Sequence, residues 1–274
     1  MTALFLENGR PSQTIPHRDR GLAYGDGLFE TIKVCHGKPQ FLAHHLTRLQ
    51  RGVERLSLNL DESILRREIS TLIELHECSL SVLKIIITRG GGLRGYRYQP
   101  CVPANRYLSV EPLDPLYIAR MQAGVKMFLC DQRLPIDPSL AGIKHLNRLG
   151  NVMARAEFSS NALGEGLMLD AQGRVVEGTM SNLFVVKGSE LMTPSVQRCG
   201  VAGVIREIVL SDIAPREGLS GRVCDLYVSD LVEADELFIC NSLIGICPVL
   251  AVGCMRWEAG PVTARLQQIL DGWR

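Results

Sequence analysis

The chain has 274 residues, 46% of them hydrophobic, enough to bury a substantial core as one large domain or two smaller ones. A net charge of +1 and a pI near 7.6 give no electrostatic footprint for nucleic acid or an anionic membrane. No apolar run approaches the roughly 20 residues that span a bilayer, and the N-terminal stretch reaches Glu7 and a turn before a signal-peptide apolar region develops. Nine cysteines, odd in number and without a C-x-x-C pair, argue for reduced thiols in a cytoplasmic protein rather than a disulfide framework or a zinc site.

Residues 3–15 read as a hairpin turning at Asn8 and Gly9, and residues 28–42 as a second hairpin around His36, Gly37 and Lys38. Leu42, His45, Leu46, Leu49, Val53 and Leu56 recur at helical spacing, which predicts an amphipathic helix over 42–57. Asp61 is a good N-cap for a second helix with Leu65, Ile69, Leu72 and Ile73 on one face. Strands follow at 81–88 and 106–113, separated by the glycine-rich, basic loop 90–100.

Two prolines mark 112–121 as a linker, so the expected organisation is an N-terminal α/β domain (1–111), the linker (112–121) and a C-terminal domain (122–274). The second part opens with a strand at 125–130, then a helix starting just after Lys144 with Leu146, Leu149, Met153 and Ala156 on one face. Strands at 166–170, 182–187 and 236–240, a short helix from about Ala202, and a closing helix at 261–273 complete it. This mixed α/β order, with hairpins and no G-x-G-x-x-G after a strand, argues against a doubly wound dinucleotide-binding sheet.

Only six of the 30 basic residues are lysines, so an amine nucleophile has few candidates. Lys144 follows apolar Ile143 and leads into the expected helix, and desolvation and a positive helix end would both favour the neutral amine. A surface lysine at a helix start is the plainer alternative. Glu177, in a polar cluster between apolar runs, is either a turn residue or a carboxylate that keeps a proton on a ring nitrogen. Arg48 flanks the apolar face of its helix, as a phosphate ligand or as a snorkelling arginine. The main-chain N–H groups of Val204 and Ile205, at a glycine-led helix mouth, could cradle phosphate, and Ser242 could add a hydroxyl.

The order of these segments carries more than any one of them. The string Y-G-D-G-L-F-E-T (24–31), H-x-x-R-L (45–49), K-H-L-N-R-L (144–149), E-G-T-x-S-N-L-F (177–184), G-V-x-R-E (203–207) and N-S-L-x-G-I-x-P-V (241–249) resembles the fold-type-IV pyridoxal-phosphate family over essentially the whole chain. That family includes branched-chain and D-amino-acid aminotransferases and 4-amino-4-deoxychorismate lyases. K-H-L-N-R-L and R-G-Y (94–96) look like the lyase group, which makes 4-aminobenzoate for folate biosynthesis.

The resemblance implies a two-domain α/β (α+β) fold, with a smaller N-terminal and a larger C-terminal domain and the cofactor, pyridoxal 5′-phosphate, between them. It also implies a cytoplasmic homodimer whose partner contributes to each site. Lys144 would carry the cofactor covalently and act as general base. Glu177 would hold the pyridinium proton, and Arg48, Val204, Ile205 and Ser242 the phosphate. Thr31 would donate a proton or position the substrate, unless it is a buried strand threonine. Arg94, Tyr96, Arg148 and Asn241 are candidate substrate contacts. An aminotransferase on the same scaffold is the main alternative, and a catalytically silent cofactor-binding protein a weaker one.

Overall fold

The computed structural model describes residues 4–76, 78–92, 94–158 and 164–273. The chain forms two compact units, residues 1–115 with 143–147 and residues 116–142 with 148–274. The expected division differs from this in two ways. Residues 112–121 do not form a linker, because from Pro115 the chain enters a helix, proline's fixed φ and missing N–H both suiting a first helical position. Residues 143–147 belong with the first unit, an assignment that no shift in composition marks.

Among the described residues of the first unit, six strands form one sheet in the order β2-β1-β6-β5-β3-β4. These are β1 (Leu4–Glu7), β2 (Arg10–Pro11), β3 (Gly27–Cys35), β4 (Lys38–Pro39), β5 (Leu80–Thr88) and β6 (Asn105–Pro112). Both expected hairpins form, although residue 3 lies outside the described residues. The strand period of two splits β3 cleanly. Leu28, Glu30, Ile32 and Val34 are buried, whereas Phe29, Thr31 and Lys33 are half-buried on the other face.

Helices α2 (Leu42–Leu56) and α3 (Glu62–Glu74) bury Leu46, Leu49 and Val53, and Leu65, Ile69 and Leu72. Asp61 caps α3, accepting from the N–H groups of Ser63 and Ile64. Gly52 lets α2 lie against β3: a Cβ there would sit 2.7 Å from Leu28 Cδ2. The short helix α1 (Arg20–Tyr24), too brief for periodicity to reveal, is capped by the buried carboxylate of Asp19. Asp19 also accepts from Thr88 Oγ1 at 2.7 Å, Asn105 Nδ2 at 2.9 Å and Tyr107 Oη at 2.8 Å, fastening the loop before α1 to β5 and β6.

The second unit carries nine strands among its described residues, in the order β12-β11-β10-β13-β14-β7-β8-β9 with β15 paired to β14. In chain order its elements are α4 (Pro115–Gln122), β7 (Val125–Leu134), α5 (Leu149–Ala156), β8 (Glu165–Asp170), β9 (Val175–Gly178), β10 (Asn182–Lys187) and β11 (Glu190–Pro194). There follow α6 (Val204–Ile208), a π-helical turn (Val209–Ile213), α7 (Ala214–Arg216), β12 (Ser220–Cys224), α8 (Val228–Val232), β13 (Glu236–Asn241), β14 (Gly245–Val252), β15 (Met255–Arg256) and α9 (Pro261–Gly272).

Strands β8, β10 and β13 are buried on both faces nearly throughout, which is why they read as continuous apolar runs. Phe184 and Phe238, directly opposite in register, stack with centroids 4.8 Å apart. Glu236 accepts from the N–H groups of Val262 and Thr263 and so caps α9. Replacing Asp19 with Ala strands several buried donors of the first unit. Urea denaturation is expected to show a loss of about 3 kcal/mol or more in unfolding free energy.

Candidate active site

Lys144 reaches the first unit through main-chain bonds. Strand β4 pairs only with Val34 and Cys35, leaving the edge of β3 open at residues 27–29. Residues 144–146 occupy that edge: Phe29 N donates to Lys144 O at 2.9 Å, Leu146 N donates to Gly27 O at 3.0 Å, and Leu28 bridges to His145. Pairing to β3 holds these residues extended, so α5 opens only at Leu149, with Arg148 at its cap. The expectation that a helix starts just after Lys144 is therefore corrected, and with it the appeal to a helix end.

The Lys144 ammonium stands 4.3 Å from the centroid of the Phe29 ring, and that of Lys84 stands 4.1 Å from the same centroid. Lys84 lies opposite Thr31 in the β3–β5 register, so Phe29, Thr31 and Lys84 share one face of the sheet. Burial, outweighing the opposing pull of Glu30, lowers the pKa of the Lys84 amine. The sequence reading missed Lys84. Its one signal was a scarce lysine within the apolar strand SVLKIIIT.

On the opposite face Glu30 is fully buried and receives three charge-assisted bonds. Arg48 Nε donates to Oε1 at 2.8 Å, Arg48 Nη2 to Oε2 at 2.5 Å, and His45 Nδ1 to Oε2 at 2.6 Å. Burial alone would raise the Glu30 pKa, but Arg48 and His45 together bring it down to about 2. Burial, foremost, lowers the pKa of His45, with Glu30 pulling the other way. His45 Nε2 is buried and meets no partner among the described residues. Arg48 is thus a buried cation already forked onto a carboxylate, a contact that its helical position did not disclose.

In the second unit Glu177 lies on β9. Its Oε2 accepts from Val201 N at 2.8 Å, with Asn182 Nδ2 at 3.5 Å. Gly200 has φ +87°, and a Cβ there would fall 2.8 Å from Val176 Cγ1 and 3.2 Å from Glu177 Oε2, so that turn admits only glycine. Gly142, two residues before Lys144, is tied to the same turn: its N–H donates to Gly200 O at 2.9 Å and its carbonyl accepts from Ala202 N at 3.0 Å.

The turn after Glu177 is built on Glu165, a second carboxylate absent from the sequence reading. It accepts from Gly166 N at 2.9 Å, Thr179 N at 3.0 Å, Met180 N at 3.3 Å, Ser181 Oγ at 2.8 Å and the Thr179 hydroxyl. Burial raises the Glu165 pKa against these donors. Gly203 begins α6 with no side-chain cap, and a Cβ there would collide with Asn182 Oδ1 at 1.9 Å. The N–H groups of Val204 and Ile205 lie in that first turn, where a helix offers them no acceptor of its own. Ser242 follows the end of β13 in the turn to β14.

Of the expected substrate contacts, Arg94 and Tyr96 lie exposed in the first unit and Arg148 half-buried in the second. Asn241 has a different task. Its Oδ1 accepts from Leu243 N at 2.9 Å and Ile244 N at 3.0 Å, and its Nδ2 donates to Met180 O at 3.2 Å. An asparagine at a strand end thus holds its own turn.

The first unit offers a lysine at a strand edge and buried carboxylates, and the second a glycine-led helix mouth, features in keeping with the class IV aminotransferase family. The chain belongs to that family: the model described as "Amino-transferase class IV" matches residues 27–252. It is 35% identical over 274 residues to an aminodeoxychorismate lyase of Vibrio harveyi, covering 98% of this chain and 100% of that one. It is 27% identical to a D-alanine aminotransferase of Bacillus licheniformis, covering 99% and 96%. Among solved structures, a 4-amino-4-deoxychorismate lyase from Pseudomonas aeruginosa superposes with a TM-score of 0.91 at 44% identity, covering 98% of each chain.

The Glu30 pKa carries a pH signature. A carboxyl held below its ordinary 4.5 stabilises the fold above that pH, and loses this contribution as pH falls toward about 2. Glu30→Gln lacks the contribution and removes the carboxylate that pairs with Arg48, a cost of about 3–5 kcal/mol. In urea unfolding from about pH 6 down to about pH 3, the wild type is expected to lead at the upper end, with the gap narrowing as pH falls. A gap that stays constant contradicts the assignment.

Proposed function

We propose that the protein is a 4-amino-4-deoxychorismate lyase, which removes pyruvate from its substrate and releases 4-aminobenzoate. The full-length likeness to two lyases, at 35% and 44% identity, carries this reading. The pair of lysines on the Phe29 ring supports it, since the substrate brings two carboxylates as well as an amine.

Pyridoxal 5′-phosphate, when bound, supplies a carbonyl for amines and an electron sink. The residues fit it. Lys144 is the amine that would hold it, and Glu177, steadied by Val201 N–H, would keep a proton on the ring nitrogen. The uncapped N–H groups of Val204 and Ile205 and the Ser242 hydroxyl would hold the phosphate, and Arg48, whose Nε and Nη2 are engaged by Glu30, would add its positive charge.

Once freed by the substrate amine, Lys144 takes the proton from C4 of the substrate ring. The bond from C3 to the enolpyruvyl oxygen then breaks, and the ring becomes aromatic. Thr31, on the same sheet face as Lys84, would give a proton to the departing enolpyruvyl methylene. Lys84, Arg94 and Arg148 are cations for the two carboxylates. In α5, Leu149, Val152 and Met153 remain exposed, which supports a homodimer. Among the described residues no helix is long and apolar enough to cross a membrane.

Two measurements test this reading. With 4-amino-4-deoxychorismate the protein is expected to release 4-aminobenzoate and pyruvate in equal amounts, and to form keto acid from D-alanine or L-leucine far more slowly. Faster turnover of either amino acid with 2-oxoglutarate makes it an aminotransferase. Borohydride reduction followed by peptide mapping is expected to leave the pyridoxyl group on Lys144. Recovery on Lys84 or Lys126 overturns that role.

A further inference from the structure

The glycine-rich segment after β5 combines exposed side chains with a firmly held main chain. Arg94, Tyr96 and Arg97 are exposed, Tyr96 to 85%. A segment that buries so little would ordinarily be mobile. Here its carbonyls converge on one guanidinium: Arg20 Nη1 donates to Gly95 O at 2.9 Å and to Arg97 O at 3.4 Å, and Nη2 to Tyr96 O at 3.3 Å. The Arg20 main chain adds a bond from its N–H to Gly90 O at 2.9 Å.

Arg20 is itself buried, and it is balanced. Its Nε donates to Asp26 Oδ2 at 2.9 Å. The same carboxylate takes Arg89 Nε at 2.8 Å and Nη2 at 3.0 Å, while Arg89 also donates to the carbonyls of Leu56 and Ser57 at the end of α2. Tyr96 rests on Tyr24 with centroids 5.6 Å apart, and Tyr98 lies 3.9 Å from the Arg89 guanidinium carbon. The pKa of Asp26 is lowered, because the bonds from Arg89 and Arg20 outweigh its burial.

Every peptide here is trans, so a carbonyl turned toward Arg20 turns the following N–H the other way. The N–H groups of Tyr96, Arg97 and Tyr98 therefore point away from Arg20, and no partner for them is present among the described residues. Outward-facing N–H dipoles beside the exposed cations Arg94 and Arg97 make an electropositive rim, suited to carboxylate.

We propose that Arg20, balanced by Asp26, is a positioning residue that presets residues 94–98 as a recognition element for the substrate's carboxylates. The proposal rests on the lyase reading above. A lysine in place of Arg20 keeps a positive charge beside Asp26 but cannot collect three carbonyls, so Arg20→Lys and Arg20→Met are both informative.

The test uses holoenzyme, checked by its cofactor absorbance. Both variants are expected to raise KM for 4-amino-4-deoxychorismate by about 10- to 150-fold, the worth of one charge-assisted contact, with kcat within about threefold. Trypsin is expected to cut after Arg94 and Arg97 faster than in the wild type. If Arg20→Met does not fold, Arg20→Lys carries the test. A KM within about threefold of wild type overturns the proposal, whatever the trypsin rate, because Arg20 would then hold the loop without serving recognition. Failure of the lyase reading would appear first, in a wild type that releases no 4-aminobenzoate. The same KM criterion would then be applied to 2-oxoglutarate, also a dicarboxylate.

Discussion

Buried carboxylate, matched in place, is the constraint on which the first unit depends. Asp19, Asp26 and Glu30 fall within a single stretch of twelve residues, and each is withdrawn from most or all of its solvent. An isolated buried charge of this kind would be prohibitive. Asp19 is matched by hydroxyl and amide donors from β5 and β6, Asp26 by two guanidinium groups, and Glu30 by Arg48 and His45 from α2. The string Y-G-D-G-L-F-E-T thereby acquires physical content. Gly25 closes α1 in the left-handed region at φ +66°, and Gly27 runs so close to β5 that a Cβ would lie 2.3 Å from Ile87 O.

The second unit uses its acids differently. Glu165 and Glu236 are satisfied largely by main-chain N–H groups, and Glu177 by Val201 N. Such acids fix turns and helix starts rather than joining elements through long cationic side chains. A turn held by its own main chain varies little in position, which suits the role proposed for Glu177.

Periodic elements were legible in the sequence. The helix over 42–57, the N-cap at Asp61 and the strands near 81–88 and 236–240 declare themselves through spacing and capping. The roles proposed for Lys144 and Glu177 rest on the order of the motifs, since each alone admits a plainer reading. What could not be read was long-range pairing: Arg48 with Glu30 from 18 residues away, Arg20 with carbonyls more than 70 residues on, and residues 144–146 with β3. The helix expected just after Lys144 starts later for that reason, because the edge of β3 outbids local helical preference until Leu149. Lys84 was passed over because one polar residue in an apolar strand matches no short motif.

The attachment of residues 144–146 to β3 bears on how the protein could diverge. Main-chain hydrogen bonds are indifferent to side-chain identity, so the amine keeps its place whatever occupies positions 145 and 146, provided Leu146 is not exchanged for proline, whose nitrogen has no hydrogen to give Gly27. The neighbours of the lysine are therefore open to change while the lysine is not displaced. A descendant could acquire a new reaction by altering what surrounds the amine, inheriting its location intact.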